Sequence, residues 1–160
     1  MKLSLALMIL APLYAQDADA KLTIAGDVTT PLTLAKADLA KLPRTSVTVK
    51  ADGSDEQTTY EGVLLYDILK QAGAPLGKQL MGKALATYVL AEARDGYQVV
   101  YALPEFDPSF TDNKIIVADT IDGKPLFDYQ GPLRIVAPHD KRGARSIRML
   151  QRIEVVRAVK

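Results

Sequence analysis

The sequence predicts a single α+β domain with a mixed sheet and a few short helices. Three observations carry this: short runs of alternating apolar and polar residues recur along the chain, only two or three segments show helical periodicity, and no internal repeat or low-complexity stretch appears. Interleaving of that kind favours a mixed sheet over a doubly wound parallel one.

Taken in order, "MKLSLALMILAPLYAQDADA" combines a positive start at Lys2, an apolar run from Leu3 to Leu10, and small-residue exits at Ala15 or Ala20. It is expected to be a secretory signal peptide over residues 1–20, with residues 21–160 as the mature domain. The run is too short to span a bilayer, so no membrane span is expected after cleavage. No paired arginines mark it for export in the folded state, so a secreted or periplasmic protein that crosses unfolded is expected.

"KLTIAG" and "TPLTL" alternate as strands, and "AKADLAKLP" is a short helix stopped at Pro43. "TSVTVK" is a β-branched strand ending in the turn "ADGSDEQ", from which "TTYEGV" leads out. In "VLLYDILKQA" the spacing puts Leu64, Leu65, Ile68, Leu69 and Ala72 on one helical face, with Gly73 as its stop. "ALATYVLAEARDGYQVVYAL" is a hairpin around Asp95-Gly96, where glycine supplies positive φ. "KIIVAD" and "PLRIVAP" are strands separated by the Asp122-Gly123 turn, and "RIEVVRAV" closes the chain as another.

With 160 residues, 48% apolar and 24% charged, the chain can bury a core of its own. Removing Lys2, Asp17 and Asp19 from its 20 cations and 19 carboxylates leaves a net charge near +2, too small to imply attraction to nucleic acid. There is no cysteine, so neither a disulfide nor a thiolate ligand is available.

Charge is nevertheless concentrated in "PHDKRGARSIRML", residues 138–150, which holds the only histidine, His139, and Lys141, Arg142, Arg145 and Arg148 against Asp140. Were residues 142–152 helical, Arg142, Arg145, Arg148 and Arg152 would share an arc of about 120°, with Ala144, Ile147 and Leu150 turned to the core. Such repulsion, about 0.2–0.5 kcal/mol per pair, calls for compensation. Either carboxylates elsewhere pair with a solvated face, or guanidinium forks bind an anion, helped by backbone donors of a helix starting after Gly143.

The run "DGKPLFDYQGPLRIVAPHDKRGARSIRMLQRIEVV" resembles the end of the molybdopterin-binding domain of the sulfite oxidase family. There, Asn/Asp-Gly-x-Pro-Leu leads to Gly-x-Pro-x-Arg-x-x-x-Pro, then a Gly-x-Arg-Ser-x-Lys stretch and a closing Arg-Ile strand. "LTIAGDVTTPLTLAKADLAKLPRTSVTV", "YEGVLLYDILKQAGA" and "DGY" at 95–97 are similar to earlier family segments, in order. The resemblance implies the sulfite oxidase fold and a molybdenum-pterin cofactor in active relatives. It also implies a pterin-phosphate contact for Arg145, Ser146 and Arg148.

Three departures accompany it. Active relatives carry a metal-ligand cysteine at about Ala51, and a methyl group cannot coordinate; Lys50, Asp52 and Asp55 are poor substitutes for a soft thiolate. Relatives also carry an Asn-His stretch upstream, where only the signal is read here. Their cofactor is inserted before folded export, which this signal does not suit.

Elsewhere the chemistry is sparse. No Gly-x-Ser-x-Gly elbow supports a triad around His139, which is weighed instead as a loop cap or a weak, pH-sensitive addition to an anion patch. Glu92, Asp95, Glu105, Asp107 and Asp119 are better turn formers or surface than an acid pair. Tyr60, Tyr66, Tyr88, Tyr97, Tyr101 and Tyr129 are chiefly core, with Tyr97 a candidate pocket wall. The expected function is a non-catalytic anion-binding module with its site at Arg134, Arg145, Ser146 and Arg148, no metal site and no cofactor. Molybdopterin is implied by the resemblance only, and the alternatives are a molybdopterin oxidoreductase without a cysteine ligand and an accessory subunit binding an acidic protein.

Overall fold

In the computed structural model, which describes residues 20–50 and 55–158, the alternating runs become ten strands in two sheets. The first sheet contains β1 (Lys21–Gly26), β2 (Leu32–Ala35), β5 (Thr87–Ala93), β6 (Gln98–Ala102) and β10 (Leu150–Arg157), in the order β2-β1-β10-β5-β6. It is mixed, because β1 and β10 run parallel with Ile24 opposite Ile153, while its other pairs are antiparallel. The first and last strands of the described residues, β1 and β10, are therefore neighbours at its centre.

The second sheet is antiparallel: β3 (Arg44–Lys50), β4 (Gln57–Leu64), β7 (Ile116–Ile121) and the two-residue β8 (Lys124–Pro125) follow in order, and β9 (Arg134–Val136) also pairs with β7. Two short helices, α1 (Lys36–Leu39) and α2 (Leu65–Gln71), fall where the periodicity puts them. Gly73 ends the second with φ of 72°, and Gly96 and Gly123 turn their hairpins at 85° and 75°.

The principal core joins both sheets and α2 through Leu22, Ile24, Leu69, Val63, Val117, Ile135 and Ile153. A smaller cluster of Val47, Tyr60, Ile116, Ala118, Leu126 and Val136 covers the other face of the second sheet. Alternation along β9 puts Arg134 on that second face, opposite Ala118, which itself opposes Gly62. These two small residues leave the guanidinium room to lie along the sheet toward Tyr60.

The basic segment is not a helix. Only Gly143–Arg145 form a single 3-10 turn, after which Ser146 takes ψ of 75° and Met149 φ of 49°, conformations that leave the helical region. The tertiary reason is pairing with β9: Ile135 N donates to the Ile147 carbonyl at 2.9 Å, and Leu150 N donates to that of Leu133 at 2.9 Å. Ile147 and Leu150 are buried as expected, but Ala144 is exposed, and no helix N-terminus follows Gly143. Residues 1–19 of the expected signal and the Ala51 position lie outside the described residues. Among the described residues no helix is long and apolar enough to cross a membrane.

Candidate functional site

A cleft of about 590 Å³ lies beside β9. Its wall brings together Arg134, Ser146 and Arg148 with Tyr97 from the β5–β6 turn and Tyr129 from the loop before β9. Asp95 is on its rim, where its Oδ1 accepts from the Tyr97 amide at 3.0 Å.

Arg134 is 7% exposed. Its Nη1 donates to the Tyr60 hydroxyl at 3.0 Å and to Gln130 Oε1 at 2.5 Å, and its Nη2 donates to the Ser146 carbonyl at 3.3 Å. The guanidinium carbon lies 4.7 Å from the Tyr60 ring centre. Among the described residues it meets no carboxylate, and its Nε is buried with no acceptor. Burial pushes its pKa down from the ordinary value; Tyr60 opposes this, and the Arg148 charge adds to it.

Arg148 is exposed, with its guanidinium 5.1 Å from the Tyr129 ring centre and no ion pair among the described residues. Ser146 Oγ accepts from the Ala137 amide at 3.1 Å, which fixes the loop against β9 and leaves its own proton to donate.

Arg145 is placed differently from its neighbours. Asp140 takes its Nε at 2.7 Å and Nη2 at 2.8 Å, and Glu105 takes Nη1 at 3.2 Å and Nη2 at 3.0 Å. Its guanidinium also covers the Tyr101 ring at 4.8 Å, and the Tyr101 hydroxyl donates to the Arg145 carbonyl. The hydrogen bonds it donates to Asp140 and then to Glu105 raise its pKa above the ordinary value. Arg145 thus takes the pairing alternative for the basic segment, whereas neither Arg148 nor the buried Arg134 has an ion pair among the described residues. His139 is exposed and is not among the residues lining the cleft. Arg152 pairs with Glu154 at 3.1 Å.

Of the acidic candidates, Glu105 also accepts from the Ala102 amide, Asp107 holds Gly77 and Ser109, and Asp119 holds Arg44. Each is occupied structurally. Tyr60, Gln130 and Tyr129 had no local signal for their place at the site. Tyr60 is 74 positions from Arg134 and meets it only through the strand order.

Among the described residues no group of three or more His, Cys, Asp or Glu could hold a metal ion. The donors around Arg134 are hydroxyls, amides and cations, which suit an oxyanion and offer no soft electron pair.

Comparison with known proteins gives one family and one fold. The family described as oxidoreductase molybdopterin binding domain matches residues 10–160. Among solved structures, the crystal structure of the sulfane dehydrogenase SoxCD from Paracoccus pantotrophus is similar, with a TM-score of 0.70 and 20% identity over 89% of this chain. The match spans 39% of that longer chain. No curated protein matches.

Proposed function

Because the chain belongs to the oxidoreductase molybdopterin-binding domain family, we propose that it is a secreted or periplasmic binding module of sulfite oxidase fold, without molybdenum chemistry of its own. Its ligand is a phosphate-bearing or other small anionic molecule, held between Arg134 and Arg148. The observation that carries this reading is Arg134, a guanidinium more than nine-tenths buried with no carboxylate among the described residues and a second unpaired cation beside it. Burying an uncompensated charge costs several kcal/mol by order of magnitude, and a bound anion offsets that cost.

The cleft fits part of the family cofactor. Tyr97 and Tyr129, both about half exposed, offer aromatic surface for a flat ring, and Arg134, Ser146 and Arg148 offer donors for a phosphate. The metal is where the fit fails. The sequence contains no cysteine, and Lys50, the described residue next to the Ala51 position, is a cation. The residues of this chain bind and orient an anion, and none of them supplies the soft ligand that molybdenum takes from a thiolate.

Protein recovered from its own periplasm should contain neither molybdenum by mass spectrometry nor pterin by fluorescence in stoichiometric amount. A stoichiometric metal signal would overturn the reading in favour of an oxidoreductase completed without cysteine. Riboflavin 5′-phosphate, a flat aromatic phosphate ester, should raise Tm where riboflavin does not, and Arg148→Gln should abolish the rise. An acidic protein that co-purifies and is lost in Arg148→Glu, with no response to the phosphate ester, would make the chain an accessory subunit instead.

A further inference from the structure

Of the strand edges left open among the described residues, that of β6 is the unguarded one. β2 is four residues long and follows Pro31, β3 carries the cations Arg44 and Lys50 at its ends, and β8 is the pair Lys124–Pro125. Shortness, charge and proline are the features by which natural sheets discourage edge pairing. β6 reads QVVYA, with no charge, proline or bulge, and its central Val100 is half exposed.

The hairpin fixes which of its backbone groups are free. Ala93 N donates to the Tyr97 carbonyl at 2.9 Å, so these two residues form a hydrogen-bonded pair. Alternation along the antiparallel ladder then turns the N–H and C=O of Val99 and Tyr101 toward β5, and those of Gln98, Val100 and Ala102 outward. The Ala102 amide agrees, because it donates away from β5 to Glu105 Oε1 at 2.8 Å. That carboxylate closes one end of the edge. Gln98 and Val100 are left with two N–H and two C=O groups that have no partner among the described residues.

A second copy of the same strand complements this set. About a twofold axis at Val99, Gln98 N would donate to the carbonyl of the partner's Val100, and Val100 N to that of the partner's Gln98, with the same two bonds returned. Every free group is matched. Ala102 and its Glu105 cap would then stand opposite the partner's Gly96, where a Cβ would meet nothing within 4 Å, so the cap has room. Centring the pair on Val100 instead would set Gln98 against the amide that Glu105 occupies. No like charges oppose each other, whereas β3 paired with itself about Val47 would set Arg44 against Lys50.

We propose that β6 is a self-association surface, on which two copies of this chain pair antiparallel through Gln98 and Val100 and join their first sheets into one. So short a strand buries less than the roughly 1,200–2,000 Å² of stable complexes, which makes the dimer weak and dependent on concentration.

Sedimentation velocity of the full chain, over a dilution series up to about 1 mM, tests this. A reversible monomer–dimer equilibrium is expected. Val100→Lys, which puts a cation on the edge of each copy, should weaken it by about tenfold or more. Val100→Pro should do the same by removing an N–H that faces away from β5, so that no bond within the hairpin is lost. Circular dichroism checks that both variants fold, and Val100→Lys decides if the proline variant does not. Amide hydrogen exchange gives an independent reading: Gln98 and Val100 should exchange freely in dilute protein and slow as concentration rises, while Val99 and Tyr101 stay protected throughout. A chain that is monomeric to about 1 mM would overturn the pairing and leave the edge to a strand of another protein. A dimer as stable in Val100→Lys as in the parent, or one that forms with Gln98 and Val100 exchange unchanged, would overturn it too.

Discussion

Three arginines in or beside the basic segment lie over tyrosine rings, Arg134 on Tyr60, Arg145 on Tyr101 and Arg148 on Tyr129, yet their electrostatic situations differ. Arg145 satisfies two carboxylates through four hydrogen bonds, so Arg145→Met strands Asp140 and Glu105 together. Both are partly buried, at 17% and 32% side-chain exposure, and hydrogen bonds to charged groups contribute about 1.5–3 kcal/mol. Urea denaturation should show Arg145→Met less stable by about 2 kcal/mol. Arg134 has neutral partners, and removing its charge also removes the penalty of burying it. Arg134→Met should therefore lose less than about 1 kcal/mol while abolishing the response to riboflavin 5′-phosphate. Equal losses in the two variants would show that Arg134 is a structural cation like its neighbour.

At the scale of elements, the second sheet depends on one close approach. Gly62 sits at the irregularity where β4 shifts register against β7. A Cβ there would overlap the Val117 carbonyl oxygen and lie 2.6 Å from Ala118 Cα, both backbone atoms that cannot swing aside. Gly62→Ala should cost more than about 2 kcal/mol in thermal denaturation, because the strands must separate and the Gly62-Ala118-Arg134 row is disturbed. Gly123→Asn, with nothing within 4 Å of its Cβ and a φ that asparagine tolerates, should cost less than about 1 kcal/mol. A loss in Gly62→Ala no larger than in Gly123→Asn would refute this account of the pairing. The contrast also shows what a sequence can convey. Hairpins at Asp95-Gly96 and Asp122-Gly123, and the helix stop at Gly73, were legible because their φ requirements are local. The course of residues 142–149 was not, because it is set by hydrogen bonds to Leu133 and Ile135 that compete with helix formation. The sequence offers Arg134, Arg145, Ser146 and Arg148 together as a candidate site, whereas the capture of Arg145 by Glu105, 40 residues away, leaves no mark on either segment.

For the whole molecule, the lack of cysteine means that distant parts of the chain are tied by packing and charge. Asp119 on β7 accepts from Arg44 on β3 through two hydrogen bonds, at 2.8 and 2.6 Å, spanning the intervening β4, and from Thr120 Oγ1 at 2.7 Å. Asp107 holds the Gly77 amide at 2.5 Å and both the amide and hydroxyl of Ser109. Burial alone would raise both carboxyls, but hydrogen bonds outweigh it, from Arg44 and Thr120 at Asp119 and from Ser109 and Gly77 at Asp107. Both therefore titrate below the ordinary aspartate value of about 3.9. A carboxyl depressed by folding adds stability that is present above its unfolded pKa and disappears as pH falls through the folded one. Tm should accordingly be nearly level from pH 7 to about pH 5 with respect to these groups and drop below about pH 4. Asp119→Asn should lose about 2 kcal/mol at pH 7, near the low end for a broken buried pair because Arg44 is 37% exposed, and its acid drop should be shallower. Thermal melts of both proteins between pH 7 and pH 2.5 measure this, and an acid limb as steep in Asp119→Asn as in the parent would remove Asp119 from the explanation.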